Sequence, residues 1–128
     1  MRRPKDHILI IEPDAQMRTQ LVSLFLQAAF RVDTAREADE AIEKLTNSQF
    51  AAIVINREMI RDSSRALDFL REEQPELVPR VIVVSRDPLT AAPDGRDSET
   101  FLLRIYDITE PERMVQAVRD CASRPMWC

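Results

Sequence analysis

Asn56 ends an apolar run, "AAIVI", and the chain turns strongly polar just beyond it at Arg57 and Glu58. Consecutive apolar residues bounded in this way read as a strand buried on both faces. The amide then stands at the strand's carboxyl end, where open α/β sheets place their ligands. An amide is neutral and its oxygen is a weak nucleophile, so the position suits hydrogen bonding better than covalent chemistry. Other residues with chemical potential are few. His7, the single histidine, opens an apolar run without Ser, Cys or paired acids beside it, and is assigned no catalytic role. Cys121 and Cys128, the only cysteines, lie close together and fit neither a disulfide framework nor conventional metal-ligand spacing. Asp107, Thr109 and Glu110 gather near the start of the last helical pattern, where negative charge favours the helix dipole, and capping accounts for them.

The elements that must position Asn56 follow from periodicity. Five short apolar runs, "HILIIE" (7–12), "FRVDT" (30–34), "AAIVI" (51–55), "VIVVS" (81–85) and "FLLRI" (101–105), alternate with four helical patterns. Asp14 is placed to cap a first helix whose stripe is Met17, Leu21, Leu24, Phe25 and Ala28. The second helix carries Ala38, Ala41, Ile42 and Leu45. In the third, Ser63 or Ser64 caps, Ala66, Leu67 and Leu70 face inward, and Pro75 ends the helix. The run "REEQPE" (71–76) reads as that helix's solvated end. The last helix has a capping box, Thr109 with Glu112, and a stripe of Met114, Val115, Val118 and Ala122. Strands alternating with helices through short connections imply an α/β, flavodoxin-like, doubly wound five-stranded parallel sheet in the order 2-1-3-4-5. The connection from 86 to 100 holds Pro88, Pro93 and the only glycine, Gly95. Proline inside a helix costs about 3 kcal/mol, so helix 4 of the pattern is expected to be shortened or missing.

At 128 residues the chain suits a single domain, with a core from about 7 to 122. A hydrophobic fraction of 45% is enough to pack one. No apolar run approaches the roughly 20 residues needed to cross a bilayer, and Glu12 interrupts the first too early for a signal peptide, so a cytoplasmic location is the default. A net charge of −4 argues against a general nucleic-acid binder, because phosphate contacts need a basic surface.

From about His7 to Ala122 this order of elements, with its strand-end residues, resembles the receiver domain of two-component response regulators. "ILIIEPDAQMRTQL" resembles that family's first strand and acidic turn, "AREADEAIEKL" its second helix, "FAAIVINREMI" the strand bearing its phosphoacceptor, and "VIVVS" and "FLLRIYDI" its last two strands. The resemblance implies a carboxylate nucleophile after strand 3 and two acids after strand 1 that hold Mg²⁺. It also implies a hydroxyl after strand 4 and a lysine followed by proline after strand 5. Here those positions fall on Asn56, on Glu12 and Pro13, on Ser85, and on Arg104 followed by Ile105. Only the hydroxyl is kept.

An amide cannot become an acyl phosphate, and one carboxylate is a poor anchor for octahedral Mg²⁺. The positions therefore read as a degenerate phosphorylation site, with no catalytic residue, no cofactor and no metal. Arg104 keeps the lysine's charge on a planar fork suited to a carboxylate, and a Glu12 to Arg104 ion pair is expected. Ile105 in place of proline makes the 104–105 peptide trans. Ser85 reads as a satisfied strand-end hydroxyl.

The resemblance implies a signal-transduction module that binds a protein partner, a signalling protein or output domain, through residues 86–100, Tyr106 and the exposed face of 110–123. Two alternatives stay open. One is a phosphoaccepting receiver that uses a displaced acid such as Asp14, Glu58 or Glu12. The other is a flavodoxin-like nucleotide- or flavin-binding domain, disfavoured because the "EPDAQ" turn has no glycine and carries acids where phosphates would sit.

Overall fold

The computed structural model describes residues 6–56, 65–85, 105–107 and 110–123. Among them the chain runs β1 (His7–Ile11), α1 (Ala15–Gln27), β2 (Arg31–Ala35), α2 (Ala38–Asn47), β3 (Ala52–Asn56), α3 (Arg65–Glu73), a 3-10 helix (Pro75–Arg80), β4 (Val81–Ser85), β5 (Ile105–Asp107) and α4 (Pro111–Ser123). All pairings are parallel and the order is β2-β1-β3-β4-β5, the doubly wound arrangement expected from the alternation of strands and helices.

Successive strand residues point to opposite faces, and the core divides accordingly. On one face Leu9, Ile11, Ile53, Ile55 and Val83 pack under α2 and α3 through Ala41, Leu45, Leu67 and Leu70. On the other, Ile8, Ile10, Val54, Ile82 and Val84 pack under α1 and α4 through Met17, Leu21, Phe25, Met114 and Val118. With both faces covered, β1, β3 and β4 must be apolar without alternation, which is how their sequences read. The edge strand β2 is spared this and carries Arg31, Asp33 and Thr34.

Helix ends explain where each strand starts. Asp14 caps α1, its Oδ2 accepting from the Met17 N–H at 2.8 Å. At the other end Phe30 N–H donates to the Phe25 carbonyl at 3.0 Å and Ala29 N–H to that of Leu26 at 3.0 Å, with the Phe25 and Phe30 rings edge to face at 5.8 Å. This pattern is the Schellman motif, and it forces Ala29 to φ 71°, where glycine is usual. α3 stops at Glu73, as Pro75 requires. Pro75 then opens the 3-10 helix, which periodicity did not anticipate because its inward residues, Leu77 and Arg80, are three apart. Arg71, Glu72 and Glu73 are exposed, as expected of a solvated helix end.

β4 has its expected bounds, and β1 to β3 differ by a residue. For β5 the apolar signal is at 101–105, and the part of the strand among the described residues is Ile105–Asp107. Residues 101–104 lie outside the described residues. So do the proline-broken connection with its helix 4, the caps Ser63 and Ser64, Thr109 of the capping box, and Cys128. α4 begins at Pro111, a favoured first position because proline has no N–H to leave unpaired, and the Glu110 carbonyl accepts from Arg113 and Met114 N–H.

Candidate functional site

The carboxyl ends of β1 and β3 bring Glu12, Pro13 and Asn56 together, because Ile11 and Ile55 are partners across the ladder and the next residue on each strand extends past it. Glu12 continues the β1–β2 ladder with its N–H, which donates to the Ala35 carbonyl at 2.9 Å. Its side chain is 2% exposed, a depth at which an unpaired carboxylate is strongly disfavoured. Both oxygens are engaged. Oε1 accepts from Asn56 Nδ2 at 2.7 Å and Oε2 from the Asp14 N–H at 3.0 Å. An ionised carboxylate can only accept, so it dictates which way the amide is turned: Asn56 presents its NH₂.

The turn between β1 and α1 is built around this carboxylate. Pro13 fixes one backbone angle, Asp14 donates its N–H to Glu12 while its carboxylate accepts from the Met17 N–H, and Arg18 Nη1 donates to the Glu12 and Pro13 carbonyls at 3.0 and 3.4 Å. The N-terminus of α1 adds a favourable field for both acids. Asp14 is legible from the sequence as a cap. Sequence reasoning missed Arg18 as part of the site, and its place one turn into α1 is the only signal that points to it.

The residues present do not fit Mg²⁺. Pro13 has no side-chain oxygen, the amide turns N–H groups toward Glu12, the one carboxylate buried among the described residues, and both oxygens of that carboxylate already accept hydrogen bonds. Among the described residues no cluster of three or more His, Cys, Asp or Glu is placed to hold a metal ion.

Strand register places the described end of β5. β4 ends at Ser85, and Ser85 pairs with Asp107, while Ile105 pairs with Val83. A parallel ladder climbs one residue at a time on both strands, so Ile105 lies two levels below the carboxyl edge. Asp107 ends the described strand beside Ser85, and Arg104 lies outside the described residues. The Glu12 to Arg104 pair and the 104–105 peptide bond lie outside the described residues.

At the opposite edge of the sheet, His7 and Asp33 approach at 3.1 Å, with the His7 ring 4.6 Å from that of Phe50. The pair bridges β1 and β2 far from Asn56. Arg80 is 5% exposed, and its Nη1 donates to the carbonyls of Ala51 at 3.0 Å and Cys121 at 2.8 Å, tying the last turn of α4 to the residue that leads into β3. Cys121 is buried, as a helix residue of the core should be. Among the described residues no helix is long and apolar enough to cross a membrane.

No family model and no curated protein matches the chain. Solved structures do. A signal receiver domain of an HD domain-containing protein from Pseudomonas fluorescens Pf-5 is 18% identical with a TM-score of 0.71, covering 94% of each chain. The response regulator TrrA from Thermotoga maritima, solved in complex with Mg²⁺-BeF, is 13% identical with a TM-score of 0.67, covering 91% of this chain and 98% of that one. Full-length FixJ from B. japonicum is 19% identical with a TM-score of 0.71, covering 93% of this chain and 60% of that one. With the same strand order and a parallel sheet covered on both faces, the chain has the fold of response-regulator receiver domains.

Proposed function

We propose that this protein is a receiver-like signal-transduction module of a two-component or phosphorelay system that works by protein–protein interaction and without aspartyl phosphorylation. One observation carries the reading: Asn56 Nδ2 donates to the buried Glu12 carboxylate at 2.7 Å, at the edge of the sheet where a receiver would hold its nucleophile and metal. The T. maritima structure was solved with Mg²⁺-BeF, whereas here the residues at that edge satisfy one another. A hydrogen-bonded amide and carboxylate form a single arrangement of charge, with no second state for a phosphoryl group to select.

Partner binding is what remains for such a module. The match covers 60% of full-length FixJ, which supports a partner of the same kind, a signalling protein or an output domain. The proposed contact surface comprises residues 86–100, Tyr106 and exposed residues of α4. Two of the displaced acids are poor substitutes for a nucleophile, since Glu12 is enclosed and Asp14 is committed to the α1 cap, and Glu58 lies outside the described residues. The same bonds disfavour a nucleotide or flavin phosphate at the α1 N-terminus, because the N–H groups of Asp14 and Met17 already face carboxylates. Incubation with a small acyl-phosphate donor and Mg²⁺, followed by intact-mass measurement, tests the proposal. The expected result is an unchanged mass, and a labile gain of one phosphoryl group overturns it.

A further inference from the structure

α1 and α4 lie side by side on one face of the sheet, and between them runs a groove of about 340 Å³. Leu24, Ala28, Pro111 and Val115 are its partly buried apolar residues, and Arg119 stands exposed at its rim. That volume is at the lower end of the about 300 to 1,000 Å³ typical of ligand pockets, room for a few side chains rather than for a folded partner. Arg119 is held in place. Its Nη2 donates to the Ala28 carbonyl at 3.1 Å, and its guanidinium lies 5.9 Å from the centre of the Phe30 ring. A planar guanidinium stacks on aromatic rings, and one already fixed loses little freedom when a further ring packs on it.

The chain carries a segment that suits this space. α4 ends at Ser123, and the sequence continues with Arg124, Pro125, Met126, Trp127 and Cys128, which lie outside the described residues. Proline disfavours helical backbone at the residue before it, so the helical path is broken from Arg124 on. Ser123 is four residues beyond Arg119 and eight beyond Val115, about 6 and 12 Å along the helix axis. Four extended residues reach about 14 Å, so Trp127 can return to the level of Arg119 and Val115. A segment tethered this closely faces the groove at about millimolar effective concentration, ahead of a dilute foreign occupant. It also holds the matching chemistry: the only tryptophan of the chain, the ring that binds a cation best, beside an adaptable methionine.

We propose that residues 124–127 fold back over this groove as a strap, with the Trp127 indole seated over Ala28 and Val115 and stacked on the Arg119 guanidinium. A partner that approaches this side of α4 must first displace the strap, a consequence that rests on the partner-binding reading above. The strap itself depends on neither that reading nor the phosphorylation one, since no residue at the Glu12–Asn56 site takes part.

Fluorescence of Trp127 tests it on the full chain, with no other tryptophan to obscure the signal. Relative to the same protein unfolded in urea, the native emission should be shifted to the blue and acrylamide quenching reduced severalfold. V115D and R119Q should each return both readings most of the way to the unfolded values. L26D should change neither, because Leu26 is 55% exposed and does not line the groove. The native readings should also hold on dilution, as a contact within one chain requires. Circular dichroism confirms folding, and if V115D does not fold, R119Q and L26D carry the test. A native Trp127 as exposed as the unfolded one, protection that the folded groove variants leave intact, protection lost equally in L26D, or protection lost on dilution would each overturn the proposal.

Discussion

Exchanging Asn56 for aspartate replaces a hydrogen-bond donor with a second carboxylate 2.7 Å from Glu12 Oε1. At an effective dielectric of about 20, two unit charges at that separation repel by about 6 kcal/mol, and by about 4 kcal/mol if the side chains rotate apart to about 4 Å. The pair avoids this by keeping one proton. Near pH 4 the protonated carboxyl introduced by N56D can donate to Glu12 much as the amide does, and the variant should approach wild-type stability. The shared proton is bound more tightly in the folded state than in the unfolded one. Stability is therefore present below the ordinary carboxylate range and lost as pH rises, at about 1.4 kcal/mol per pH unit relative to wild type. By about pH 7 the deficit should reach roughly 4 kcal/mol, where repulsion at the relaxed distance limits it. A divalent cation offers the two carboxylates another escape, so Mg²⁺ should stabilise the variant at neutral pH and leave wild type unchanged. Urea unfolding of both proteins from about pH 4 to pH 7.5, with and without Mg²⁺, reads out each step. A difference between N56D and wild type that is constant across this range and blind to Mg²⁺ would refute the reasoning.

Three further perturbations have defined outcomes. Asp14→Ala removes the bond to Met17 N–H while keeping the backbone donor to Glu12, and should lower the unfolding free energy by about 1 kcal/mol in urea titration. Ala29→Gly relieves a left-handed backbone at φ 71° and should stabilise by about 0.5 to 1 kcal/mol, seen as a higher Tm. Arg80→Met leaves the Ala51 and Cys121 carbonyls without their buried donor and should cost about 3 kcal/mol or more in the same titration, with a loss near 0.5 kcal/mol showing that the carbonyls find other partners.

Several parts of the molecule are legible in the chain itself. The runs at 7–12, 51–55 and 81–85 read as buried strands, because both faces of a doubly wound sheet are covered and tolerate no polar alternation. Of the residues that the helix stripes name as inward, Met17, Leu21, Phe25, Ala38, Ala41, Leu45, Ala66, Leu67, Leu70, Met114, Val118 and Ala122 are buried, and Leu24, Ala28, Ile42 and Val115 are partly buried. Local chemistry of this kind, a 3.6-residue period or a cap next to its helix, is written within a few neighbouring residues. The fifth strand is less legible: apolarity marks 101–105, while the pairing of Ile105–Asp107 with Val83, Val84 and Ser85, some 20 residues away in the chain, is set by the fold.

From its residue types alone the chain determined that position 56 holds an amide, position 12 a carboxylate and position 13 no ligand at all, which already bears on acyl-phosphate chemistry. Only tertiary structure decided that the amide and the carboxylate meet. Glu12 and Asn56 are 44 positions apart, and their contact exists because β1 and β3 share a register and α1 turns back over the sheet to give Glu12 a second donor. Arg80 shows the same division. Its sequence neighbours make it an ordinary basic residue before a strand, and its role arises from two carbonyls that the fold brings to one guanidinium. Hydrogen-bond partners of a buried polar group are chosen by geometry at the end of folding, and one-dimensional spacing carries almost no record of them.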